Sequence, residues 1–491
     1  MHVVCVGGSD AGISAGLRAR ELDPSTEVTV VVADAYPNFS ICGIPYYISG
    51  EVGDWHHLAH RTRADLEAAG LHLLLDTRAT RIDVDARQLE AIGPDDTPAL
   101  VDYDALVVGT GARPVRPPIT GLDTLGAADG VHLLHSMGDT FALGDSLEKL
   151  QPRTALVVGA GYIGLEMAEG LTTRGIHVTQ VEAAPEVLST LDPELGTLVH
   201  AELVRHGVDI QTGTSVTGIA KGADGLHVTG QARDGEALSW DVDLVLVVVG
   251  VTPETDRLVR SGAQTGPRGA VLVDETMATG LPHVWAAGDC VATHHRLLGT
   301  TYLPLGTTSH KQGRVAGENA LGGNARFAGS IGTQVLKVFD LVAARTGLRE
   351  HEAIAAGFDP ASTTSAPDDH KAYYPGSHPI TIRITGDRAT GRLLGAQLVG
   401  HLTTETAKRV DTYATALFHG MDVADINDLD LAYTPPLGSP WDAIQIAAQA
   451  WVTQHQPARA HHPPTPPTGQ SSARRRQAIP TPAMTGDLHP A

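Results

Sequence analysis

One cysteine of this 491-residue chain, Cys42, lies where a thiol could carry electrons. It follows closely on a predicted β-strand that ends at Asp34, within the segment of residues 38–50. A cysteine near the start of a helix experiences the positive end of the helix dipole, which lowers the thiol pKa and favours the thiolate. We therefore predict a reactive thiolate at Cys42, the alternative being a cysteine that only packs.

The other two cysteines, Cys5 and Cys290, are predicted to be structural. Cys5 falls in a buried first strand, and Cys290 directly follows the pair Gly288-Asp289. Three widely spaced thiols form neither a disulfide framework nor a zinc site. The 24 histidines are scattered without the spaced carboxylate or cysteine partners of a metal centre, so we predict no metal.

Two glycine-rich turns predict dinucleotide binding. The sequence GGSDAG occupies residues 7–12, and GAGYIG occupies residues 159–164. Each follows a short apolar run and precedes a helical pattern, which is the order that a dinucleotide-binding unit requires. Small residues let backbone amides approach a pyrophosphate at the positive end of a helix, and Ser9 is small enough to stand at the middle glycine position.

An acidic residue ends the second strand of each unit. Asp34 follows the apolar run of residues 28–32, and Glu182 follows that of residues 178–181. A carboxylate at this place accepts hydrogen bonds from an adenosine ribose. Glu182 would also repel a 2′-phosphate, and residues 183–185 supply no arginine to hold one. We predict FAD at the first site and NADH at the second, with NADPH as the alternative there.

The first unit is predicted to be interrupted by the second. Residues 103–114 form a strand pattern that enters a glycine turn, and residues 283–289 form another that ends in an acidic residue. Both patterns complete the first unit, so the second unit is inserted within it. The predicted fold is α/β, with two nested Rossmann-type dinucleotide-binding domains.

A third domain and a tail follow. Beyond residue 327 the alternation of strand-like and helical runs indicates an α+β domain, and the proline-rich residues 454–491 are predicted to be disordered. The predicted boundaries are residues 1–118 and 249–326 for the FAD-binding domain, 119–248 for the NAD(P)-binding domain and 327–453 for the third domain.

The composition excludes some partners. The formal net charge is −21, which disfavours binding to the phosphates of nucleic acid. The longest apolar runs have strand length and fall short of the roughly 20 residues of a membrane helix. The N-terminus runs directly into a strand and leaves no room for a secretory signal. We predict a cytoplasmic protein without nucleic-acid or membrane partners.

The chain up to about residue 453 resembles the pyridine nucleotide–disulfide oxidoreductases. Within them it is most similar to the single-cysteine branch of coenzyme A–disulfide reductase, water-forming NADH oxidase and NADH peroxidase. The resemblance rests on the order of first glycine turn, Cys42, second glycine turn and Gly288-Asp289. It implies a glutathione reductase-like fold, a third domain that dimerises and a homodimer.

The resemblance also implies that residues 110–114 and Asp289 complete the FAD site, and that Glu166 lies near the nicotinamide and the flavin. Together with the two turns, it predicts contacts to FAD or the nicotinamide nucleotide at Gly7, Ser9, Ala11, Gly12, Asp34, Ser40, Thr110, Gly111, Arg113, Gly159, Gly161, Ile163, Gly164, Glu166, Glu182, Gly250, Gly288 and Asp289.

Three departures from the family's patterns reduce the number of activities that the resemblance allows. Two-cysteine members carry a second cysteine five residues after the first, where this chain has Tyr47, so no local disulfide can form. The His–Glu pair of those enzymes is missing from residues 431–436. Asp10 stands where NADH peroxidase has a catalytic histidine, which disfavours peroxidase activity.

Two tyrosines, Tyr433 and Tyr374, resemble tyrosines of coenzyme A–disulfide reductase that reach toward the partner subunit's active cysteine. We expect them to take part in catalysis, the alternative being that they pack at a dimer interface. Leu437 replaces a further tyrosine expected after the Pro-Pro pair, which leaves the substrate open.

The sequence thus predicts an FAD-dependent NAD(P)H oxidoreductase that reduces a small disulfide, coenzyme A disulfide first, through Cys42. One alternative is an NADH oxidase that reduces oxygen through a Cys42 sulfenic acid. Another is a non-catalytic flavoprotein redox sensor. A persulfide reductase of the fused type is disfavoured because no sulfurtransferase domain follows residue 453.

Overall fold

The computed structural model describes residues 1–456. The disorder predicted for the tail concerns mostly residues outside the described part. The last described helix runs through His455, so residues 454 and 455 are helical. Within the described residues, no helix is both long and apolar enough to cross a membrane.

The helices and strands are given in chain order. Residues 1–114 contain β1 (His2–Val6), α1 (Asp10–Leu22), β2 (Glu27–Val31), α2 (Ile44–Ser49), α3 (Arg63–Ala68), β3 (Leu71–Leu74), β4 (Arg78–Asp83), β5 (Gln88–Ile92), β6 (Pro98–Asp102), β7 (Ala105–Val108) and β8 (Ala112–Pro114). Residues 131–247 contain β9 (Val131–Leu133), α4 (Met137–Leu150), β10 (Thr154–Val158), α5 (Tyr162–Thr173), β11 (His177–Glu182), α6 (Pro193–Arg205), β12 (Asp209–Thr212), β13 (Thr214–Lys221), β14 (Leu226–Ala232), β15 (Ala237–Val242) and β16 (Leu244–Val247). Residues 251–320 contain β17 (Val251–Pro253), α7 (Asp256–Arg260), β18 (Val284–Ala286), β19 (Thr293–His295), β20 (Gly299–Thr301) and α8 (Gly306–Ala320). Residues 334–455 contain β21 (Gln334–Val338), β22 (Leu341–Gly347), α9 (Glu350–Ala355), β23 (Pro360–Ser365), β24 (Ile380–Asp387), β25 (Leu393–His401), α10 (Thr406–His419), α11 (Val423–Asn427) and α12 (Ala443–His455).

A five-stranded parallel sheet forms the first unit. Its strand order is β18-β7-β1-β2-β3, so strands from both sides of the inserted unit lie side by side. The central strands are runs of buried valine and other apolar residues, as expected when helices and loops cover both faces of a sheet. The predicted interruption of the first unit is confirmed by this strand order.

A second five-stranded parallel sheet, in the order β12-β11-β10-β16-β9, forms the inserted unit. A three-stranded antiparallel sheet, β13-β14-β15, completes it. The antiparallel ribbon of β8 and β17 joins the two units at the points where the chain passes between them. The two nested Rossmann-type units predicted from the glycine turns are therefore both present.

The third unit is α+β, as predicted. Its sheet is antiparallel in the order β21-β22-β25-β24-β23, and α10 and α12 pack against it. Trp451 on α12 is fully buried, and its indole Nε1 donates a hydrogen bond of 2.8 Å to the carbonyl of Ala361 on β23. This hydrogen bond satisfies the indole N–H within the core, as buried tryptophan requires.

The third unit is also anchored to the inserted unit. The Arg345 guanidinium donates to the carbonyl of Thr190 at 2.7 Å, and the Gln397 side chain exchanges hydrogen bonds with Asp192. The turn between β21 and β22 lies against α5 and α6, where the amides of Phe339 and Asp340 donate to Glu169 at 2.9 Å and to Glu202 at 3.0 Å.

Candidate active site

Cys42 lies in a single turn of 3-10 helix, Ile41–Gly43, that leads into α2. Pro45 in the first turn of α2 favours a helix start there, because proline lacks only an N–H that would have no partner. Gly50 ends the helix in the left-handed conformation, at φ +90°. The Cys42 thiol is free and exposed, whereas Cys5 and Cys290 are buried, as predicted.

The prediction that the pKa of the Cys42 thiol is lowered was wrong. Desolvation by the surrounding protein raises the pKa of the Cys42 thiol, and the carboxylates of Glu166, Asp10 and Asp289 raise it further. The helix that follows Cys42 has only six residues, so its dipole is small, and no cation is among the groups that shift the pKa. The protein around Cys42 therefore favours the protonated thiol over the thiolate.

Glu166 lies on α5 and receives a hydrogen bond of 3.2 Å from the Tyr46 hydroxyl on α2. Burial raises the pKa of Glu166 to about 7, against the opposing effect of that hydrogen bond. Lys337 of the third unit pairs with the buried Glu169, and its ammonium lies 5.6 Å from the centroid of the Tyr46 ring. Tyr46, Glu169 and Lys337 were missed by the sequence analysis, because their sequence separation carries no signal of proximity.

The first glycine turn fits a closely approaching ligand. Gly7 has φ +117°, and a Cβ added there would lie 2.1 Å from the carbonyl oxygen of Gly109. A Cβ at Gly12 would lie 2.1 Å from the Gly7 oxygen, so glycine is required at both positions. Ser9 is the N-cap of α1, and its side chain makes no capping hydrogen bond. The first amides of α1 thus lack a side-chain partner, as an anion-binding helix start requires.

Two carboxylates flank this turn at the carboxyl ends of their strands. Asp34 follows β2, accepts a hydrogen bond of 2.9 Å from the Tyr36 amide, and has a pKa raised by burial. Asp289 follows β18, where burial raises its pKa to about 6 and the Ser309 hydroxyl donates to it at 3.1 Å. The strand order places β18 and β2 on opposite sides of β1, so the two carboxylates bracket the turn.

The segment that follows β7 leads from the proposed FAD site into the ribbon of β8 and β17. The Thr110 hydroxyl donates to the carbonyl of Glu254 at 2.6 Å, and Gly111 has φ +68°. Arg113 is exposed and pairs with Glu254 at 3.4 Å. It also lines a cavity of about 880 Å³ together with Arg116 and other residues of the ribbon and of β9. Cys42 does not line this cavity.

The second glycine turn repeats the geometry of the first. Gly159 has φ +101°, and a Cβ at Gly164 would lie 2.0 Å from the Gly159 oxygen. Gly161 differs, because a Cβ there would meet no protein atom within 4 Å. The two oxygens of Glu182 accept hydrogen bonds from the amides of Ala160 at 2.6 Å and Ala184 at 2.7 Å. Glu182 is thus held against the turn, at the predicted ribose position.

The remaining predicted residues are distributed around these turns. Ile163 is half-buried on α5, Ser40 precedes the Cys42 turn, and Gly250 has φ +105° and accepts a hydrogen bond from the Val115 amide. Ala11 packs against Gly288, whose amide donates to the Gln312 side chain at 2.9 Å.

The two predicted tyrosines lie in exposed loops of the third unit. Tyr374 is 43% exposed and its ring centroid lies 5.8 Å from that of His370, and Tyr433 is 46% exposed. Tyr373, a residue not predicted from the sequence, is more exposed still, and its pKa is raised by desolvation and by the neighbouring Tyr433. Among residues 1–456, no side-chain hydrogen bond joins these tyrosines to the first two units.

Comparison with known proteins agrees with this architecture. The model of the pyridine nucleotide-disulphide oxidoreductase family matches residues 1–313, and the dimerisation domain of that family matches residues 333–443.

Proteins similar over nearly their whole length carry related names. An NAD(P)H sulfur oxidoreductase (CoA-dependent) from Pyrococcus furiosus is 30% identical over 91% of this chain and 98% of its own. An NADH oxidase from Methanocaldococcus jannaschii is 30% identical with the same two coverages. The structure of an NAD-dependent persulfide reductase from A. fulgidus matches with a TM-score of 0.87 and 34% identity, over 92% of this chain and 83% of that one. The chain therefore belongs to the pyridine nucleotide-disulphide oxidoreductase family, whose members are FAD- and NAD(P)H-dependent enzymes.

Proposed function

We propose that this enzyme reduces coenzyme A disulfide, or the disulfide of a similar small thiol, through Cys42. The observation that carries the proposal is the single exposed thiol, which has no second cysteine beside it because Cys5 and Cys290 are buried in the cores. Reduction of a small disulfide by one thiol passes through a mixed disulfide with the substrate, which a cysteine without a local partner can form. The CoA-dependent relative from Pyrococcus furiosus supports coenzyme A as the thiol.

The first glycine turn fits FAD. Gly7 and Gly12 leave no room for a side chain, so a pyrophosphate could approach the start of α1, and the Asp34 carboxylate would accept hydrogen bonds from the ribose. Asp289, braced by Ser309, would hold the ribityl chain. When bound, FAD supplies two-electron transfer between the nicotinamide and sulfur.

The second site is proposed to prefer NADH. Glu182 presents a carboxylate at the ribose position, where it would repel a 2′-phosphate, and Ala183, Ala184 and Pro185 add no positive charge. Comparing kcat/KM for NADH and NADPH checks this preference.

The chain's own part in the reaction is to bind, orient and exchange protons. The Cys42 thiolate attacks one sulfur of the substrate disulfide and releases the first thiol, which leaves a mixed disulfide on Cys42. With FAD and NADH bound, the site would be supplied with the two electrons that break this bond, which releases the second thiol and restores the Cys42 thiolate. Tyr374 and Tyr433 of the partner subunit would orient the substrate, which requires the homodimer that the dimerisation domain suggests.

The test is anaerobic NADH oxidation by the purified holoenzyme with coenzyme A disulfide, compared with oxygen as sole acceptor. We expect turnover under argon only when the disulfide is present, with two thiols formed per NADH consumed. If NADH is oxidised when oxygen is the acceptor but not when coenzyme A disulfide is the acceptor, disulfide reduction is refuted and the protein is assigned as an NADH oxidase.

An NADH oxidase is the second candidate function, because the NADH oxidase from Methanocaldococcus jannaschii is as similar to this chain as the CoA-dependent relative is, and because an exposed Cys42 can form a sulfenic acid.

A cytoplasmic location is proposed as well, since the three cysteines of the chain are all free. Cell fractionation would test it.

The raised pKa of Glu166 predicts how flavin reduction depends on pH. Glu166 has a pKa of about 7, so it is neutral at lower pH and ionised at higher pH. We propose that it lies near the nicotinamide, which becomes positively charged as it donates hydride, and an ionised carboxylate stabilises that charge. The rate of flavin reduction by NADH is expected to rise several-fold as the pH increases through about 7.

Glu166→Gln is expected to flatten this dependence near its low-pH value, measured by rapid mixing under argon. Glu236→Gln, at an exposed turn between β14 and β15, is the control that keeps the wild-type profile. A Glu166→Gln profile that still rises through pH 7 would assign the titration to another group.

A further inference from the structure

A cluster of titratable side chains lies at the start of α1 and has no role in the proposed chemistry so far. The segment that leads to Cys42 passes next to it, because the Asn38 amide donates to the Gly8 carbonyl at 2.6 Å and the His60 amide donates to the Asn38 carbonyl at 2.9 Å. His310 on α8 bridges two residues of α1: its Nε2 lies 3.3 Å from an oxygen of Asp10, and its Nδ1 lies 3.0 Å from the Ser14 hydroxyl. His60 belongs to the same cluster, because one side-chain nitrogen or carboxylate oxygen from each of Asp10, His60 and His310 lies within 4.8 Å of the other two. The two imidazole rings have centroids 6.1 Å apart.

The helices that carry this cluster are fixed relative to each other. A Cβ on Gly313 of α8 would lie 2.3 Å from the carbonyl oxygen of Ala11, and one on Gly317 would lie 2.2 Å from that of Ala15. The two backbones are therefore in direct contact over two turns. His310 is one turn before Gly313 on α8, so it is held rigidly over Asp10.

Asp10 differs from the other carboxylates near Cys42 in its partners. Glu166 is hydrogen-bonded to Tyr46 and Asp289 to Ser309, and neither hydroxyl titrates near neutral pH. Asp10 alone of the three is paired with an imidazole, the side chain suited to gaining and losing protons at that pH. The His310 side chain is 43% exposed, whereas that of Asp10 is 23% exposed. The pair thus extends from the partly buried Asp10 carboxylate to the more exposed His310 imidazole.

We propose that His310, oriented by Ser14 and coupled to Asp10, is the proton relay that serves the sulfur chemistry at Cys42. The inference rests on the proposed function, in which thiolates are released at this place. When two electrons from NADH break the mixed disulfide, the products are the Cys42 thiolate and a substrate thiolate. One proton passes from the His310 imidazolium by way of Asp10 to the leaving sulfur, which departs as a thiol, and water returns a proton to His310.

The relay should affect one half-reaction only. Flavin reduction by NADH is measured first, without acceptor, and reoxidation of the reduced holoenzyme by coenzyme A disulfide second, both by rapid mixing between about pH 6 and pH 9. We expect His310→Gln to slow reoxidation by about a hundredfold and to leave flavin reduction within twofold of wild type. His310→Ala should be partly rescued by free imidazole, which a merely structural histidine would not allow.

His177→Gln is the matched control, because it also removes an imidazole paired with a carboxylate, Asp209 at 2.9 Å, but at an exposed sheet edge. Three other titratable groups interact electrostatically with Asp10 of the relay, namely His60, Cys42 and Asp289. Asp10→Asn should therefore lower the pH at which iodoacetamide alkylates Cys42, because one of the three carboxylates that raise the thiol pKa is neutralised. His60→Gln should retain the relay.

Equal losses in both half-reactions for His310→Gln, or none in either, would overturn the relay. Loss of activity in EDTA would also overturn it, since Asp10, His60 and His310 would then hold a metal ion. If the reduced wild-type enzyme is reoxidised by oxygen and not by the disulfide, the proposed function fails. The relay is then tested by the rate of reoxidation with oxygen, a reaction that also consumes protons. A selective His310→Gln defect there upholds the relay, and an unchanged rate refutes it.

Discussion

Replacement of Cys42 by serine is expected to abolish disulfide reduction while flavin reduction by NADH continues. Serine preserves the size of the side chain, but its oxygen replaces the sulfur. The variant therefore cannot form the mixed disulfide that is reduced in the next step. Loss of an essential nucleophile commonly lowers turnover by several orders of magnitude, so a decrease of at least about a thousandfold is expected. The two steps are separated by following the flavin absorbance under argon, first with NADH alone and then with coenzyme A disulfide added.

Cys290→Ser makes the same chemical change at a control position. Cys290 is fully buried, its pKa is raised by burial to about 11, and its sulfur lies 3.4 Å from the carbonyl of Ala287 and 3.6 Å from that of Val108. A serine hydroxyl can donate to the same carbonyls, so the protein should fold and turn over. Undiminished disulfide reduction by Cys42→Ser would refute the thiol mechanism, and slow flavin reduction in the same variant would instead indicate damage to the cofactor site.

The charge around Cys42 gives this prediction a second consequence. Desolvation by the surrounding protein raises the pKa of the Cys42 thiol and three carboxylates raise it further, although a thiolate is the reactive form. Negative charge of this kind favours protonation of a second sulfur anion released nearby, because two thiolates and three carboxylates repel one another. The same carboxylates that weaken Cys42 as a nucleophile thus assist departure of the product, provided that a proton reaches it. The pairing of Asp10 with His310 meets this requirement.

The features predicted correctly from the sequence are those set by local spacing. The glycine turns, the acidic strand ends at Asp34 and Glu182, and the interruption of the first unit all follow from patterns within short segments. A turn that brings a strand end to a helix start needs glycine at fixed offsets, whatever the rest of the chain does. The fold class could therefore be read before any tertiary contact was known.

The features that were missed depend on residues far apart in the chain. Asp10 and His310 are 300 residues apart and meet only because two glycines let α1 and α8 touch. Lys337 reaches Glu169 from a different unit. The prediction of a lowered Cys42 pKa failed for the same reason. A local helix start was visible in the sequence, but the burial that raises the Cys42 pKa most comes from the tertiary structure, and the carboxylates of Glu166 and Asp289 that raise it further come from other segments.

The second large effect is expected from two glycines, Gly161 and Gly164, in the second glycine turn, where we propose that NADH binds. A Cβ at Gly164 would lie 2.0 Å from the Gly159 oxygen, a distance that backbone atoms cannot accommodate without moving. Gly164→Ala should therefore displace the turn and destabilise the inserted unit by about 1–3 kcal/mol or more, because the clash is with backbone. NADH binding should be lost as well, while FAD, for which we propose the first unit as the site, is expected to remain bound in the protein that folds.

Gly161→Ala separates the ligand from the fold. A Cβ there would meet no protein atom within 4 Å, and the residue has φ −81°, so alanine should fit without strain. If the pyrophosphate occupies that space, the KM for NADH should rise roughly tenfold or more, a loss of about 1.4 kcal/mol of binding free energy, at unchanged thermal stability. Gly144→Ala, an equally open site within α4, is the control that should alter neither quantity unfavourably. An unchanged KM in Gly161→Ala would mean that the nucleotide lies elsewhere, because the space that the turn leaves open would then have no occupant.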